Sequence, residues 1–152
     1  MSRRPKDIGT DAERAVVRYL QTVGFPHAER RAQNGAQDRG DITGTPGICW
    51  EVKARKKPPG DTLIAEWLGE TEIERRNAGA AVGILVVRRP YAAVGFWWAY
   101  RRLDDLIDGR DPMRQARPEW LLVQDAPVRM LLSDAVALLR ADGYGTPAEV
   151  TA

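Results

Sequence analysis

Apolar residues first recur at helical spacing at Val16, Leu20 and Val23, with Tyr19 beside them, and Gly24 closes the run. Thr10 followed by Glu13 reads as a capping box, which predicts that this helix starts at Thr10, after a flexible basic arm over residues 1–9. Residues 26–39 are polar and irregular, with a Gln/Asn/Gly-rich stretch. Gly40-Asp41-Ile42 and the run from Ile48 to Ala54 then flank a turn-forming segment, Thr43-Gly44-Thr45-Pro46-Gly47, and together read as a hairpin. Pro58-Pro59-Gly60 interrupts the chain. A second helix is expected from Asp61 or Thr62 to Asn77, with Leu63, Ile64, Trp67, Leu68 and Ile73 on its apolar side. Val82 to Val87 is continuously apolar, the pattern of a strand buried on both faces. Further strands are expected over Ala93–Tyr100, Trp120–Gln124 and Val128–Met130, with a short helix around Arg102–Asp108. Ser133 is expected to cap a last helix, Asp134–Ala141, which Gly143 ends. This order predicts an α/β protein with a central mixed sheet flanked by helices. A single domain is expected over residues 10–145, with a disordered tail from 146 to 152.

Composition narrows the chemistry. A chain of 152 residues with 43% hydrophobic and 29% charged residues suits one ordinary core. No apolar run approaches the roughly 20 residues that span a bilayer. The basic N-terminus is not followed by an apolar stretch, so no signal peptide is predicted; a cytoplasmic protein, in a bacterium or a phage-infected host, is the expectation. One cysteine and one histidine exclude an internal disulfide and Cys/His zinc centres. Cys49, mid-strand beside Trp50, reads as core packing rather than a nucleophile, and His27 as a loop residue. Net charge is only +2, yet the pI is near 8.9. The basic residues also come in clusters, among them Arg30-Arg31, Arg55-Lys56-Lys57, Arg75-Arg76, Arg88-Arg89 and Arg101-Arg102. Any one pair is explained by a solvated surface. As a set they suit a phosphate backbone, whose neutralisation releases condensed counterions.

The stretch Ile48-Cys49-Trp50-Glu51-Val52-Lys53-Ala54 carries the candidate chemistry. Alternate strand residues share a face, so Ile48, Trp50, Val52 and Ala54 form a packing face while Cys49, Glu51 and Lys53 point the other way. With 43–47 as the loop, Ile42 opposes Ile48 and Asp41 opposes Cys49, which puts Asp41 on the face of Glu51 and Lys53; a one-residue slip would break this. Two clustered carboxylates repel unless a cation lies between them, and hard Mg²⁺ prefers oxygen ligands. Such an ion can polarise a phosphodiester and activate water, with a lysine orienting that water or stabilising the transition-state phosphate. Glu13 is a further candidate catalytic residue and metal ligand beside Asp41 and Glu51, explained equally well by the capping box. Asp38 is an alternative ligand. Each feature alone is weak, since Glu-x-Lys is often only an ion pair and Asp after Gly only turn chemistry. The combination carries the weight.

Gly40-Asp41-Ile42 followed by Trp50-Glu51-Val52-Lys53, with the helical acid Glu13 before them, resembles the signature of the PD-(D/E)xK nuclease superfamily. The short spacing is similar to archaeal-type and phage Holliday junction resolvases, and Ala36–Ile42 with Leu131–Gly145 to resolvase-like endonucleases of actinobacterial phages. The match covers residues 10–54, and more loosely continues through Arg89. The resemblance implies a restriction-endonuclease-like αβββαβ core, Mg²⁺ dependence with Mn²⁺ substituting, and often a homodimer. Gly40 stands where the superfamily's Pro would be, and the Gln-x-x-x-Tyr helix motif of some members is missing. The second helix offers Glu66 and Glu70 instead, neither with an assigned role.

The expected activity is therefore a Mg²⁺-dependent, structure-selective DNA endonuclease, a junction resolvase in phage recombination or DNA repair. Asp41, Glu51, Lys53 and Glu13 would be catalytic, with Arg39, Arg55, Lys56 and Lys57 on the DNA. Alternatives are a superfamily nuclease acting on flaps or duplex DNA, or a non-catalytic DNA-binding accessory protein. Phe96-Trp97-Trp98 is a candidate dimer interface, with core packing equally open.

Overall fold

A computed structural model describes residues 4–32, 35–107 and 126–147. The first helix, α1, spans Pro5–Thr22. It therefore begins five residues before the Thr10 capping box, and residues 5–9 are helical rather than a flexible arm. Pro5 explains the earlier start: its fixed φ suits the first turn, and its missing N–H needs no acceptor there. Thr10 and Glu13 lie inside the helix, so Glu13 caps nothing. Ala12, Val16, Val17 and Leu20 are the buried stripe.

Two short strands follow, β1 (Glu29–Arg30) and β2 (Ile42–Thr43), and they pair with each other antiparallel. The expected hairpin between β2 and the next strand, β3 (Ile48–Lys53), does not form a ladder: β2 belongs to a separate two-stranded sheet. The loop between them folds back on itself through Ile48 N–H to Thr45 O at 3.1 Å. The fully buried Trp50 anchors it, its indole N–H donating to Thr45 Oγ1 at 3.1 Å.

Helix α2 runs Asp61–Ala78 and ends on Gly79 in the left-handed conformation, with Arg75 and Arg76 complementing the last turn. Its buried stripe is Ile64, Trp67, Leu68, Thr71 and Glu74; Ile73, expected on that side, is 60% exposed. β4 (Val82–Val87) is buried at all six positions, as its unbroken apolar run predicts. A 3₁₀ turn at Val94–Phe96 replaces the first half of the strand expected at 93–100, and β5 occupies Trp98–Arg102. α3 is Leu103–Ile107, β6 is Pro127–Leu131 and α4 is Leu132–Ala141. α4 starts on Leu131 without a side-chain cap, so Ser133 is its second residue rather than its cap. The strand expected at Trp120–Gln124 lies outside the described residues. Thr146 donates its main-chain N–H to Gly24 O at 2.8 Å, which ties the start of the expected tail to the end of α1.

The main sheet has the order β3-β4-β5-β6, parallel between β3 and β4 and antiparallel beyond, the mixed α/β arrangement expected. α1 and α4 cover one face over Ile48, Trp50, Val52, Ile84 and Val86. α2 covers the other over Leu85 and Val87. Each fully buried aliphatic or aromatic side chain contributes about 1.5–3 kcal/mol, so the alternation along β3 is set firmly. Its odd positions must face α2. No helix among the described residues is long and apolar enough to cross a membrane.

Candidate active site

β3 delivers Glu51 and Lys53 to the α2 side, as alternation requires. Glu51 is only 6% exposed, and its Oε1 accepts from Lys53 Nζ at 2.8 Å. Lys53 also donates to Glu70 Oε2 at 3.1 Å and lies 5.8 Å from the centre of the Trp67 ring. Burial opposes the lysine's charge, but the bonds to Glu51 and Glu70 outweigh it and hold its pKa above the usual lysine value. Lys53 is thus a fixed cation and not a proton acceptor.

Asp41 reaches the same place by a route different from the expected register. Its N–H bonds to Trp50 O at 2.8 Å, and its Oδ2 accepts the Val52 N–H at 2.7 Å. The main chain therefore pairs with Trp50 rather than Cys49, and the side chain arches over the edge of β3. Gly40 makes this approach possible: its φ is +90°, and a Cβ there would stand 2.8 Å from both Cys49 Sγ and Trp50 O. Asp38 Oδ1 accepts the Gly40 N–H at 3.0 Å and so shapes this turn. Burial, and then the charge of Glu51, push the Asp41 carboxyl up to about 8.

A third carboxyl, Glu74 from α2, completes the cluster and escaped the sequence reading. It is 5% exposed and hydrogen-bonded to Glu51, while its Oε2 is buried with no hydrogen-bond partner among the described residues. Burial, then the bond to and charge of Glu51, raise its pKa well above the carboxylate range. A signal existed: Ile64, Trp67, Thr71 and Glu74 share one helical stripe, where an acid occupies a core position.

The other predicted residues divide. Glu13 lies close enough to raise Asp41 by its charge. Its Oε2, however, accepts from Arg30 Nη2 and Nε, each at 2.8 Å. Arg39, Arg55, Lys56 and Lys57 are exposed, and so is Glu66, four positions before Glu70 on α2. Cys49 is buried, with burial and then the Glu74 charge pushing its thiol up to about 12, which fits packing and not nucleophilic chemistry. His27 is exposed in a turn. Of the aromatic run, Trp97 is core at 5% exposed, Phe96 is 55% exposed, and Trp98 lies between the guanidinium groups of Arg89 and Arg129, each 4.2 Å from its ring centre.

As the side chains stand, no three His, Cys, Asp or Glu groups among the described residues converge to hold a metal ion. The Glu51, Asp41 and Glu13 oxygens named above are turned to Lys53, the Val52 N–H and Arg30 respectively. The donor set itself fits a hard cation: three carboxyl groups, two of them with pKa values raised by burial and by the charge of Glu51, and one buried oxygen with no hydrogen-bond partner among the described residues. Comparison with known proteins found no family model that matches the chain. No curated protein and no solved structure matches it either.

Proposed function

We propose that the chain is a divalent-metal-dependent DNA endonuclease with a restriction-endonuclease-like core. The observation that carries the reading is the meeting of Asp41, Glu51 and Glu74 with Lys53 on the α2 side of β3. Burying carboxyls together is unfavourable unless protons or a cation offset their repulsion, and a purely structural site has little use for three of them. Asp41, Glu51 and Glu74 would hold Mg²⁺, or Mn²⁺ in its place, with Glu13 beside them. When bound, the ion supplies Lewis acidity toward a phosphodiester and lowers the pKa of a water.

The chain's own residues account for the rest. Lys53, fixed as an ammonium by Glu51 and Glu70, offsets charge building on a phosphate oxygen in the transition state. Arg39, Arg55, Lys56 and Lys57 are exposed cations that suit flanking phosphates. The finer reading is a junction resolvase, working as a homodimer because two opposed nicks require two centres. Four-way junction, flap, single-stranded and duplex DNA incubated side by side with Mg²⁺ test this directly. Nicking is expected in the branched substrates, with loss in Asp41→Asn and Glu51→Gln of unchanged fold. No cleavage of any substrate with Mg²⁺ or Mn²⁺, or full activity in either variant, would overturn the reading.

A further inference from the structure

Between α1 and the end of the sheet where β3 and β4 finish lies a groove of about 560 Å³, within the range of small-molecule clefts. Ile8, Ala12 and Trp97 give it an apolar floor, while Lys56, Arg88 and Tyr91 border it. Arg88 is tied to the candidate active site, since its N–H donates to Lys53 O at 2.9 Å. Lys56 follows Lys53 by three residues, a reach of at most about 10 Å along the chain.

Tyr91 is the unusual member. Among the described residues it is the only non-glycine with a positive φ, at 65°. It occupies the third position of a turn, Arg89-Pro90-Tyr91-Ala92, closed by Ala92 N–H to Arg89 O at 3.3 Å. Proline at the second position and positive φ at the third is the pattern in which glycine or asparagine normally holds the third place. A tyrosine there is strained by on the order of 1 kcal/mol or more. Packing does not offset the strain, because Tyr91 is fully exposed, at 109% of its reference area. The turn that presents the ring is nonetheless fixed on both sides. Arg89 donates to Phe96 O at 2.9 Å and stacks on Trp98, and the Trp97 indole donates to Ala92 O at 3.1 Å. A strained turn, rigidly held, thus carries an unpacked aromatic ring at the rim of an apolar groove.

We infer that this groove is a subsite for an unpaired nucleotide of the DNA substrate, its base stacking on Tyr91 and its phosphates meeting Lys56 and Arg88. The charge balance favours a polyanion: Lys56 and Arg88 border the groove, with exposed Arg55 and Lys57 in the Lys56 loop. Asp11 is the one acid among the residues that line the groove. Aromatic stacking tolerates any base, and the apolar floor discriminates against a duplex, whose bases are already stacked. The inference rests on the DNA-endonuclease reading and deepens it, naming the substrate class as DNA that exposes an unpaired nucleotide near the cleaved bond.

The test compares the wild-type chain, Tyr91→Gly and Tyr91→Phe in EDTA, where no metal-dependent cleavage can occur. Fluorescence anisotropy gives the affinity of each for a labelled 12-nucleotide oligodeoxythymidine and for a duplex of equal length, and melting temperatures are recorded in parallel. Stacking on one base predicts that Tyr91→Gly weakens single-strand binding by about fivefold or more. Duplex binding should change less than about twofold, and Tyr91→Phe should retain wild-type affinity. Because glycine relieves the turn, the melting temperature should hold or rise; a ring kept for structure would lower it. Unchanged single-strand affinity, an equal loss on the duplex, or a wild-type chain that binds neither DNA would each overturn the subsite. The first two outcomes leave the endonuclease reading standing, since that reading is judged by cleavage with Mg²⁺.

Discussion

Glu74→Gln tests the electrostatics of the carboxyl cluster without reference to any substrate. Glu74 is 5% exposed and its pKa is raised, by burial first and then by Glu51, so the folded chain keeps a proton there that the unfolded chain releases in the ordinary carboxylate range. A group whose folded pKa lies above its unfolded value stabilises most at low pH, and that contribution is lost as pH rises toward the folded pKa. Each retained proton therefore costs the metal-free fold about 1.4 kcal/mol of stability per pH unit across that window. Between pH 6 and 8 the share of Glu74 is about 3 kcal/mol, or on the order of 6–12 °C in Tm for a chain of this length. Asp41, raised to about 8, adds a slope of its own that flattens near that pH. The amide of Gln can still donate to Glu51 but cannot titrate. Thermal unfolding in EDTA from pH 5.5 to 8.5 should therefore show wild-type Tm falling steeply, and Glu74→Gln falling about half as fast and ending higher at the alkaline end. Mg²⁺ at pH 8 should raise the wild-type Tm and raise that of the variant less. Parallel pH profiles for the two proteins would refute the shared-proton cluster.

Gly40→Ala should destabilise by about 2–3 kcal/mol in a denaturant titration, because its φ is +90° and its Cβ would press on Cys49 Sγ and Trp50 O; wild-type stability would remove Gly40 as the hinge that brings Asp41 over β3. Lys53→Met should slow single-turnover cleavage at saturating enzyme by about a hundredfold or more, with modest loss of affinity, and recovery of the wild-type rate at saturation would make it a binding residue. Neutralising Arg55, Lys56 and Lys57 together should instead weaken binding and reduce the log–log salt slope by about one unit per lost phosphate contact, and an unchanged slope would remove them from the backbone interface. Glu13→Gln should lower the cleavage rate while Tm moves by less than the equivalent of about 1 kcal/mol, since its pair with Arg30 is partly exposed; an unaltered rate would leave Glu13 as the partner of Arg30 alone.

Periodicity along the chain was enough to read the two faces of β3, the doubly buried β4 and the span of α2 within a residue or two. These follow from backbone geometry acting on neighbouring residues: strand side chains alternate, helical ones return every 3.6 positions, and burial penalises any other phase. That Glu51 and Lys53 share one face of β3 was legible for the same reason. The remaining parts of the cluster depend on distances between elements, which no local repeat encodes. Asp41 was read through a hairpin that does not form; β2 pairs with β1, and the aspartate reaches β3 by a glycine-hinged arch. Glu13 was read as a cap or a ligand, but packing of α1 beside β1 turns it to Arg30. Glu74 was overlooked because 23 residues separate it from Glu51, and only the crossing of α2 over β3 brings the two acids together. Local order was written in the sequence pattern, whereas the meeting of the acids was decided by tertiary packing, where burial and mutual repulsion set how protons, and in the proposed function a cation, are held.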